Sequence, residues 1–273
     1  MTLGERTIVM GIVNVTPDSF TDGGMYLTTD DAVRHGARLV DEGADVLDVG
    51  GESTRPGAEP VDVDEELRLV IPVIEGLTEI QQTTPISIDT RKPEVARAAL
   101  AAGARIVNDV TAGRDGAMLE AVADTGAGIV LMHMLGEPQT MQDDPRYEDV
   151  VAEVHEFLRE RIEAAVFAGI AEERVCVDPG IGFGKNVEHN LALLRSVSAL
   201  RLLGAAVMVG ASRKRFIGVL TGAEDPADRL EGSLAAAVLA ASLGADVVRV
   251  HDVAPTVRAL RVADAIVREP SGG

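Results

Sequence analysis

The stretch "DDAVRHGARLVDEGADVLDVGG" (30–51) contains one complete unit of the pattern from which this chain is built. Its first part, 30–43, carries apolar residues at helical spacing and ends in a glycine, which predicts a helix closed by a left-handed cap. Its last part, 46–51, is a short run rich in valine, which predicts a buried β-strand. Helix, glycine and strand therefore form a single α–β unit.

The same alternation of short apolar runs and longer helical segments occurs along the whole chain. The predicted strands are 8–15, 46–51, 86–90, 106–110, 128–133, 175–180, 207–212 and 247–253. The glycines expected to end a helix before a strand are Gly43, Gly103, Gly169, Gly204 and Gly244. Uninterrupted apolar strands that alternate with helices form a parallel sheet covered by helices. Eight units in 273 residues predict an α/β protein, a (β/α)8 barrel that forms a single domain over residues 1–273.

A doubly wound open sheet is the main alternative to the barrel. Its nucleotide-binding fingerprint, G-x-G-x-x-G after the first strand, is missing from this sequence. No stretch is rich enough in Pro, Gly or Ser to act as a linker between domains. The barrel is therefore the favoured fold.

The composition indicates a cytoplasmic protein with an aliphatic core. Hydrophobic residues make up 46% of the chain but aromatic residues only 3%, so the core must consist of Val, Leu, Ile and Ala. We expect no membrane association, because no run of about 18 apolar residues occurs, and no signal peptide. The single cysteine, Cys176, fits a reducing compartment.

The formal net charge of −19 limits the possible partners. Nucleic acids and anionic membranes are poor partners for such a chain, because its field repels phosphate groups. Only three of the 25 basic residues are lysines. The excess of carboxylates also suggests the hypothesis of a salt-adapted protein, since high salt screens self-repulsion. Stability that does not change between low and molar KCl would exclude this hypothesis.

Polar side chains follow every predicted strand at its carboxyl end, where barrel enzymes hold their active sites. These positions are Asn14, 50–57, Asp89, Asn108, Asp109, His133, Asp178, 210–215, Arg249, His251 and Asp252. One polar residue at a strand end means little, because the chain is leaving the core there. Eight such ends together predict a binding site.

Several of these residues also have a purely structural interpretation. Asp89 is well placed to cap the helix that starts near Lys92, and Asn108 to bond its own backbone. Asp178 stands before Pro-Gly, as turn residues do, and a lone histidine such as His133 is more often structural than catalytic. Each of these alternatives stays open on the sequence alone.

The basic residues favour an anion site. Arg249 and His251 alternate on one strand and so face the same side, and a buried arginine without a partner is costly. Lys214 lies in "GASRKR", at a strand-to-helix junction. Asp and Asn side chains accept hydrogen bonds from ring N–H groups, whereas these cations suit phosphates. With Asn14 as an oxygen ligand for Mg2+, the residues suggest a heterocycle that carries a diphosphate.

Seven motifs occur in order along the chain: "GIVNVTPDSFTDGG", "DVGGESTRPGA", "SIDT", "NDV", "DPGIGFGK", "GASRKRF" and "RVHDV". With these motifs the chain resembles the dihydropteroate synthase family, pterin-binding (β/α)8 barrels that sulfonamides block. The resemblance spans about residues 8–267. It implies condensation of (7,8-dihydropterin-6-yl)methyl diphosphate with 4-aminobenzoate, which gives 7,8-dihydropteroate and diphosphate for folate synthesis, with Mg2+ as cofactor.

The resemblance also implies roles for individual residues. Those that hold the pterin are Asp89, Asn108, Met132, Asp178 and Lys214. Asn14 would ligate Mg2+, and Arg249 and His251 would hold the diphosphate. The aminobenzoate would lie among Thr54, Arg55, Pro56, Phe183 and Arg215. Phe20 and Asp22 belong to a first loop that closes over the substrates. The catalytic set is then Asp22, Asp89, Lys214, Arg249 and His251.

Three further points follow from the resemblance. Many family members have Ser where this chain has Arg215, so the contacts to the aminobenzoate carboxylate are open. A homodimer is implied, with the apolar helix "GSLAAAVLAASLG" (232–244) as the candidate surface. The alternative functions are a pterin-dependent methyltransferase, which has no use for "ESTRPG" or "SRKR", and a non-catalytic pterin binder, which needs no diphosphate site.

Overall fold

The structure, a computed structural model, describes residues 3–15, 28–53, 57–81 and 83–268. Within these residues eight parallel strands pair in chain order, and the last pairs with the first to close a barrel. The strands are β1 (Ile8–Asn14), β2 (Val46–Gly50), β3 (Ile86–Asp89), β4 (Ile106–Asp109), β5 (Gly128–Met132), β6 (Val175–Asp178), β7 (Ala206–Val209) and β8 (Val247–Val250). The predicted (β/α)8 barrel is confirmed.

Helices connect successive strands and cover the outside of the barrel. They are α1 (Thr29–Asp41), α2 (Val63–Ile80), α3 (Pro93–Ala101), α4 (Gly116–Thr125), α5 (Val150–Phe167), α6 (Val187–Arg195), α7 (Val197–Leu200), α8 (Arg215–Thr221), α9 (Leu230–Ser242) and α10 (Val253–Val267). None of the helices in the described ranges is long and apolar enough to cross a membrane.

Local sequence signals explain where these helices begin and end. Thr28 and Asp31 form a reciprocal capping box at the start of α1, which satisfies backbone N–H groups that have no partner in the first turn. Gly103 follows α3 with φ +121°, and a Cβ there would lie 2.6 Å from Thr78 Oγ1. Any other residue would therefore be strained by its backbone and by this contact.

One helical prediction differs from the structure. The segment 187–203 has the period of one long helix, but α6 ends at Arg195 and a separate short helix, α7, follows. The break is at Ser196, whose N–H donates to both Ala192 O and Leu193 O. A shared N–H of this kind is common at helix ends.

The two faces of the strands have different neighbours. Outward side chains such as Val49 and Val177 pack under the helices in the main core. Inward side chains form a second, smaller aliphatic cluster that includes Ile8, Val46 and Val247, near the amino ends of the strands. Because side chains alternate along a strand, the inward positions at the carboxyl ends include the polar residues Asp89, Asn108, Asp178 and Arg249.

Candidate active site

A small cavity lies at the carboxyl ends of the strands. The residues that line it are Asp89, Asn108, Val110, Met132, Asp178, Ile181, Phe183, Met208, Gly210, Lys214 and Arg249. Seven of these are site residues predicted from the sequence, and they come from six different strands or the segments that follow them. Closure of the barrel brings them together.

Arg249 lies at the centre of the charged groups of this cavity. Its Nε donates to Asp48 Oδ2 at 2.6 Å, and its Nη2 donates to Asp89 Oδ2 at 2.6 Å. Burial alone would lower the pKa of Arg249, but the two carboxylates outweigh it and raise the pKa. The guanidinium therefore stays charged, and its two carboxylate partners offset the free-energy cost of its desolvation.

Asp48 is the site residue that the sequence reasoning missed. It lies in the middle of β2, is completely buried, and its Oδ2 also accepts from Asn108 Nδ2 at 3.0 Å. Asn108 therefore does not bond its own backbone. A signal was available, because a buried arginine demands a buried acid and "VLDVGG" places one inside an apolar strand.

Asp89 is not a helix cap. The side chain that accepts from the backbone N–H of Lys92 is Thr90 Oγ1, at 3.2 Å. Burial raises the pKa of Asp89 to about 7; Arg249 opposes this rise, whereas Asp48 adds to it. The Asp89 carboxyl is therefore close to balance between its charged and neutral forms near neutral pH.

Asp178 stabilises a turn and also lines the cavity. Its Oδ1 accepts from Gly180 N at 2.7 Å, and burial raises the pKa of the Asp178 carboxyl. Gly180 has φ +68°, and a Cβ there would lie 1.9 Å from the carbonyl oxygen of His133. This turn accepts only glycine, and it directs the loop after β6 across the cavity.

Lys214 and Phe183 face each other on one side of the cavity. Lys214 Nζ lies 4.0 Å from the centroid of the Phe183 ring, a cation–π contact. Arg213, the residue before Lys214 in the "SRKR" motif, donates two hydrogen bonds to Asp252 at 2.6 and 2.9 Å. Its charge therefore has a structural partner. Arg215 is exposed and forms no ion pair with any residue that the structure describes.

His251 follows β8 and contacts Ser212. Its backbone N–H donates to Ser212 Oγ at 3.2 Å, and its Nδ1 lies 3.0 Å from the same oxygen. Burial, with help from the charge of Arg249, lowers the pKa of His251 to about 3. The imidazole is therefore neutral at physiological pH, and it can offer one N–H donor but no full positive charge.

The remaining predicted residues lie at the mouth or outside the described ranges. Asn14 is exposed at the end of β1, beside Gly50 of the next strand. Among the residues described, no group of three or more His, Cys, Asp or Glu side chains is arranged to hold a metal ion. The predicted site residues outside the described ranges are Phe20, Asp22, Thr54, Arg55 and Pro56.

Comparison with known proteins identifies the family. The family model described as pterin binding enzyme matches residues 10–251. The dihydropteroate synthase of Escherichia coli (strain K12) is 50% identical over 257 residues, which cover 94% of this chain and 90% of that protein. The chain belongs to the dihydropteroate synthase family.

Two solved structures of family members from Xanthomonas albilineans superpose closely on this one. The structure of dihydropteroate synthase with 4-aminobenzoic acid is 57% identical to this chain. The superposition covers 97% of this chain and 94% of that one, with a TM-score of 0.91. The complex with 7,8-dihydropteroate is 54% identical, with 99% and 97% coverage and a TM-score of 0.89. The fold described above is thus that of a dihydropteroate synthase.

Two buried charged clusters of this family member support the walls of its cavity. Lys185 Nζ lies 2.9 Å from both His133 Nδ1 and the carbonyl oxygen of Phe183. Burial lowers the pKa of Lys185 to about 7 and that of His133 to about 3. His133 therefore acts as an acceptor that ties β5 to the loop after β6, in agreement with its structural interpretation.

The second cluster surrounds Glu52. Lys92 Nζ donates to Glu52 and to Glu66, a completely buried acid of α2, and Arg91 Nε donates to Glu52 at 3.1 Å. Glu52 is the first residue of the "ESTRPG" segment, so these cations fix its starting point. The sequence reasoning did not identify this cluster.

Proposed function

We propose that this protein condenses (7,8-dihydropterin-6-yl)methyl diphosphate with 4-aminobenzoate to give 7,8-dihydropteroate and diphosphate. The observation that carries the proposal is one cavity in which Asp89, Asn108 and Asp178 supply acceptors while Lys214 and Arg249 supply positive charge. The ring of a dihydropterin carries several N–H donors, and its diphosphate carries the negative charge that these cations match. The family membership of the chain supports the same activity.

The pterin is proposed to bind against the acceptors, with Met132 packed on its face. Met132 and Phe183 belong to one buried apolar cluster beside these acceptors, which suits a flat ring. Lys214 also borders the cavity and is proposed to bond to the pterin. Cys176 takes no part, because burial strongly raises the pKa of its thiol and so keeps it protonated.

The diphosphate is proposed to bind between Arg249 and His251. Arg249 supplies a buried charge of fixed geometry, and the neutral His251 supplies a hydrogen bond. The residues present fit Mg2+ in part: Asn14 offers one amide oxygen, and Mg2+ commonly takes one or two protein ligands and completes its shell with phosphate oxygens and water. When bound, Mg2+ would supply positive charge against the leaving diphosphate.

The 4-aminobenzoate is proposed to lie on the outer side of the pterin, next to Phe183. Arg215 is exposed at the start of α8 and is the described cation available for its carboxylate. Thr54, Arg55 and Pro56 are proposed to complete this subsite, and Phe20 and Asp22 to cover it.

The chemistry requires charge stabilisation rather than a protein nucleophile. The bond between the methylene carbon and the diphosphate oxygen breaks, and the electron pair stays on the diphosphate. The amine nitrogen of aminobenzoate bonds to the methylene carbon and then releases a proton. Asp89 and Asp178, bonded to ring N–H groups, favour the positive charge that develops on the pterin, while Arg249 holds the departing anion.

A homodimer is proposed through the helices near the end of the chain. Leu239 of α9 is 62% exposed, and α10, which packs against α9, exposes Val262 and Ile266. The adjoining α8 exposes Val219 and Leu220. Apolar side chains gathered on neighbouring helices are typical of an interface between subunits. Size-exclusion chromatography with light scattering tests this, with Leu239→Glu as the disrupting variant.

The experiment that tests the activity is diphosphate release from the pterin diphosphate with Mg2+, measured with and without 4-aminobenzoate. We expect release that depends on aminobenzoate and matches dihydropteroate formation mole for mole. Pterin binding without aminobenzoate-dependent product would instead favour the non-catalytic binder. Methyl transfer from a methylated folate without diphosphate release would favour the methyltransferase.

A further inference from the structure

One carboxylate oxygen of Asp48 accepts two hydrogen bonds. Oδ2 accepts from Arg249 Nε at 2.6 Å and from Asn108 Nδ2 at 3.0 Å, and the residue is completely buried in the barrel. Asp48 itself does not line the cavity, but both of its donors do. Its effect on a ligand must therefore pass through these two side chains.

The contact with Asp48 decides how Asn108 presents its amide. A carboxylate only accepts hydrogen bonds, so the amide must direct its NH2 group toward Asp48. The carbonyl oxygen Oδ1 is then the end of Asn108 that remains for the cavity. Together with Asp89 and Asp178, this places three side chains with acceptor oxygens at the cavity.

The same oxygen holds Arg249. With Nε bonded to Asp48, the guanidinium extends toward Asp89 and meets it through Nη2 at 2.6 Å. An arginine presents its donors in a fixed planar fork, so one bond at Nε sets the direction of the other nitrogens. Asp48 therefore also determines where positive charge stands at the edge of the cavity.

We propose that Asp48 is a positioning residue that turns the carbonyl oxygen of Asn108 toward the pterin cavity and holds Arg249 at the edge of that cavity. The ligand it selects is a heterocycle with N–H donors along one edge, such as an aminopyrimidinone ring. This inference rests on the proposed function and adds to it a specificity residue that touches neither substrate. A flipped Asn108 amide would place two donors against donors of the ring.

The test compares Asp48→Asn, Asn108→Asp and the double variant that exchanges the two side chains. The probe is 6-hydroxymethyl-7,8-dihydropterin, which has the ring but no diphosphate, and its binding is measured by calorimetry at pH 8. Each single variant is expected to bind at least about tenfold more weakly, because Asp48→Asn replaces a charged acceptor by a neutral one and Asn108→Asp brings two carboxylates into contact. The exchange restores one amide donor against one carboxylate and keeps the net charge.

The double variant is expected to bind the probe within about threefold of the wild type. Its turnover of the pterin diphosphate should stay low, because Arg249 Nε now meets an amide NH2 group. A purely structural role for Asp48 predicts neither the rescue nor this split between binding and turnover. If Asp48→Asn alone does not fold, the rescue relative to Asn108→Asp still decides the question.

The matched control is Asp246→Asn, a buried carboxylate at the opposite end of the barrel that is also paired with an arginine, Arg201. It should leave the affinity for the probe unchanged. A double variant that binds no better than its single variants, or Asp48→Asn that binds like this control, overturns the inference alone. A wild-type protein that neither binds the probe nor releases diphosphate overturns the proposed function and this inference with it.

Discussion

The two ends of the barrel use the same residue types, Asp and Arg, in different ways. At the amino ends of the strands, Asp45 accepts from Arg6 at 2.5 and 2.7 Å and from the strand N–H of Val9 at 2.9 Å. Asp246 accepts from Arg201 at 3.2 Å and from the strand N–H of Val207 at 3.0 Å. These carboxylates complete the backbone hydrogen bonds of strands at the barrel's edge.

At the carboxyl ends the arginine is largely buried, with 20% of its side chain exposed, and the carboxylates keep unused acceptor capacity. Arg249 is shared between Asp48 and Asp89, and the pKa of Asp89 is raised to about 7 by burial. Arg6 and Arg201, by contrast, are more than half exposed. The same pairing therefore stabilises the fold at one end and borders the proposed ligand site at the other, because the arginines differ in burial.

The largest effect should come from removing the arginine at each end. We expect Arg249→Gln to lower kcat/KM by about 10²–10³-fold, because the departing diphosphate loses a preorganised charge. Arg201→Gln should leave kcat/KM unchanged, since that exposed pair contributes about 1 kcal/mol or less to stability. Diphosphate release coupled to dihydropteroate formation measures both. Equal losses of kcat/KM in the two variants would show that the two ends of the barrel do not differ in function.

A pH effect of about tenfold should appear only at the carboxyl end. Asp89 accepts from a ring N–H best as a carboxylate, and its pKa of about 7 means that this form increases as pH rises from 6 to 8. Affinity for 6-hydroxymethyl-7,8-dihydropterin should therefore increase about tenfold across this range. Calorimetric titrations at several pH values measure it. Asp89→Asn should bind weakly and without this pH dependence; a retained dependence would assign the titration to another group.

The same raised pKa predicts a cost to the unliganded fold. Between pH 3.8 and about 7 the folded protein holds the Asp89 proton more tightly than the unfolded chain does. The contribution of Asp89 to the free energy of unfolding is therefore full below this window and is lost as pH rises through it. Urea denaturation at pH 5 and pH 8 should show Asp89→Asn gaining stability relative to the wild type at the higher pH. A constant difference would contradict the raised pKa.

Removing the carboxylate at the amino end should change stability without changing activity. Asp246→Asn leaves the N–H of Val207 with a weaker acceptor, so we expect unfolding to become easier by about 1–3 kcal/mol. Urea denaturation measures this, and kcat/KM of the folded variant should lie within about twofold of the wild type. A large loss of activity would show that the two ends are coupled.

The smallest effect concerns His251, which should not titrate near neutral pH. Its pKa is lowered to about 3 by burial and by Arg249, so its ring stays neutral throughout pH 5.5–8. The Hε1 resonance in an NMR titration should remain constant over this range. Movement with a midpoint near 6.5, the ordinary value for histidine, would add a titratable cation to the carboxyl end.

Much of the site could be predicted because a polar residue marks the point where each apolar strand ends. Asp89, Asn108, Asp178 and Arg249 were identified as polar positions after apolar runs, and all four line one cavity. Their roles, like the domain limits 1–273, stay predictions. The sequence left open whether Asp89 caps a helix and which cations of "GASRKR" face the cavity. Neither question has a local answer, because α3 has no side-chain cap and Arg213 pairs with Asp252.

The sequence by itself determined the order and type of the elements and the face on which each polar residue lies. These depend on local periods of about 3.6 and 2 residues. They also depend on glycines such as Gly103 and Gly180, which adopt a positive φ that other residues disfavour. Tertiary structure alone decided which charges meet. Asp48, Asp89 and Arg249 are far apart in the chain, and their contact exists only because eight strands close into a barrel that buries them together.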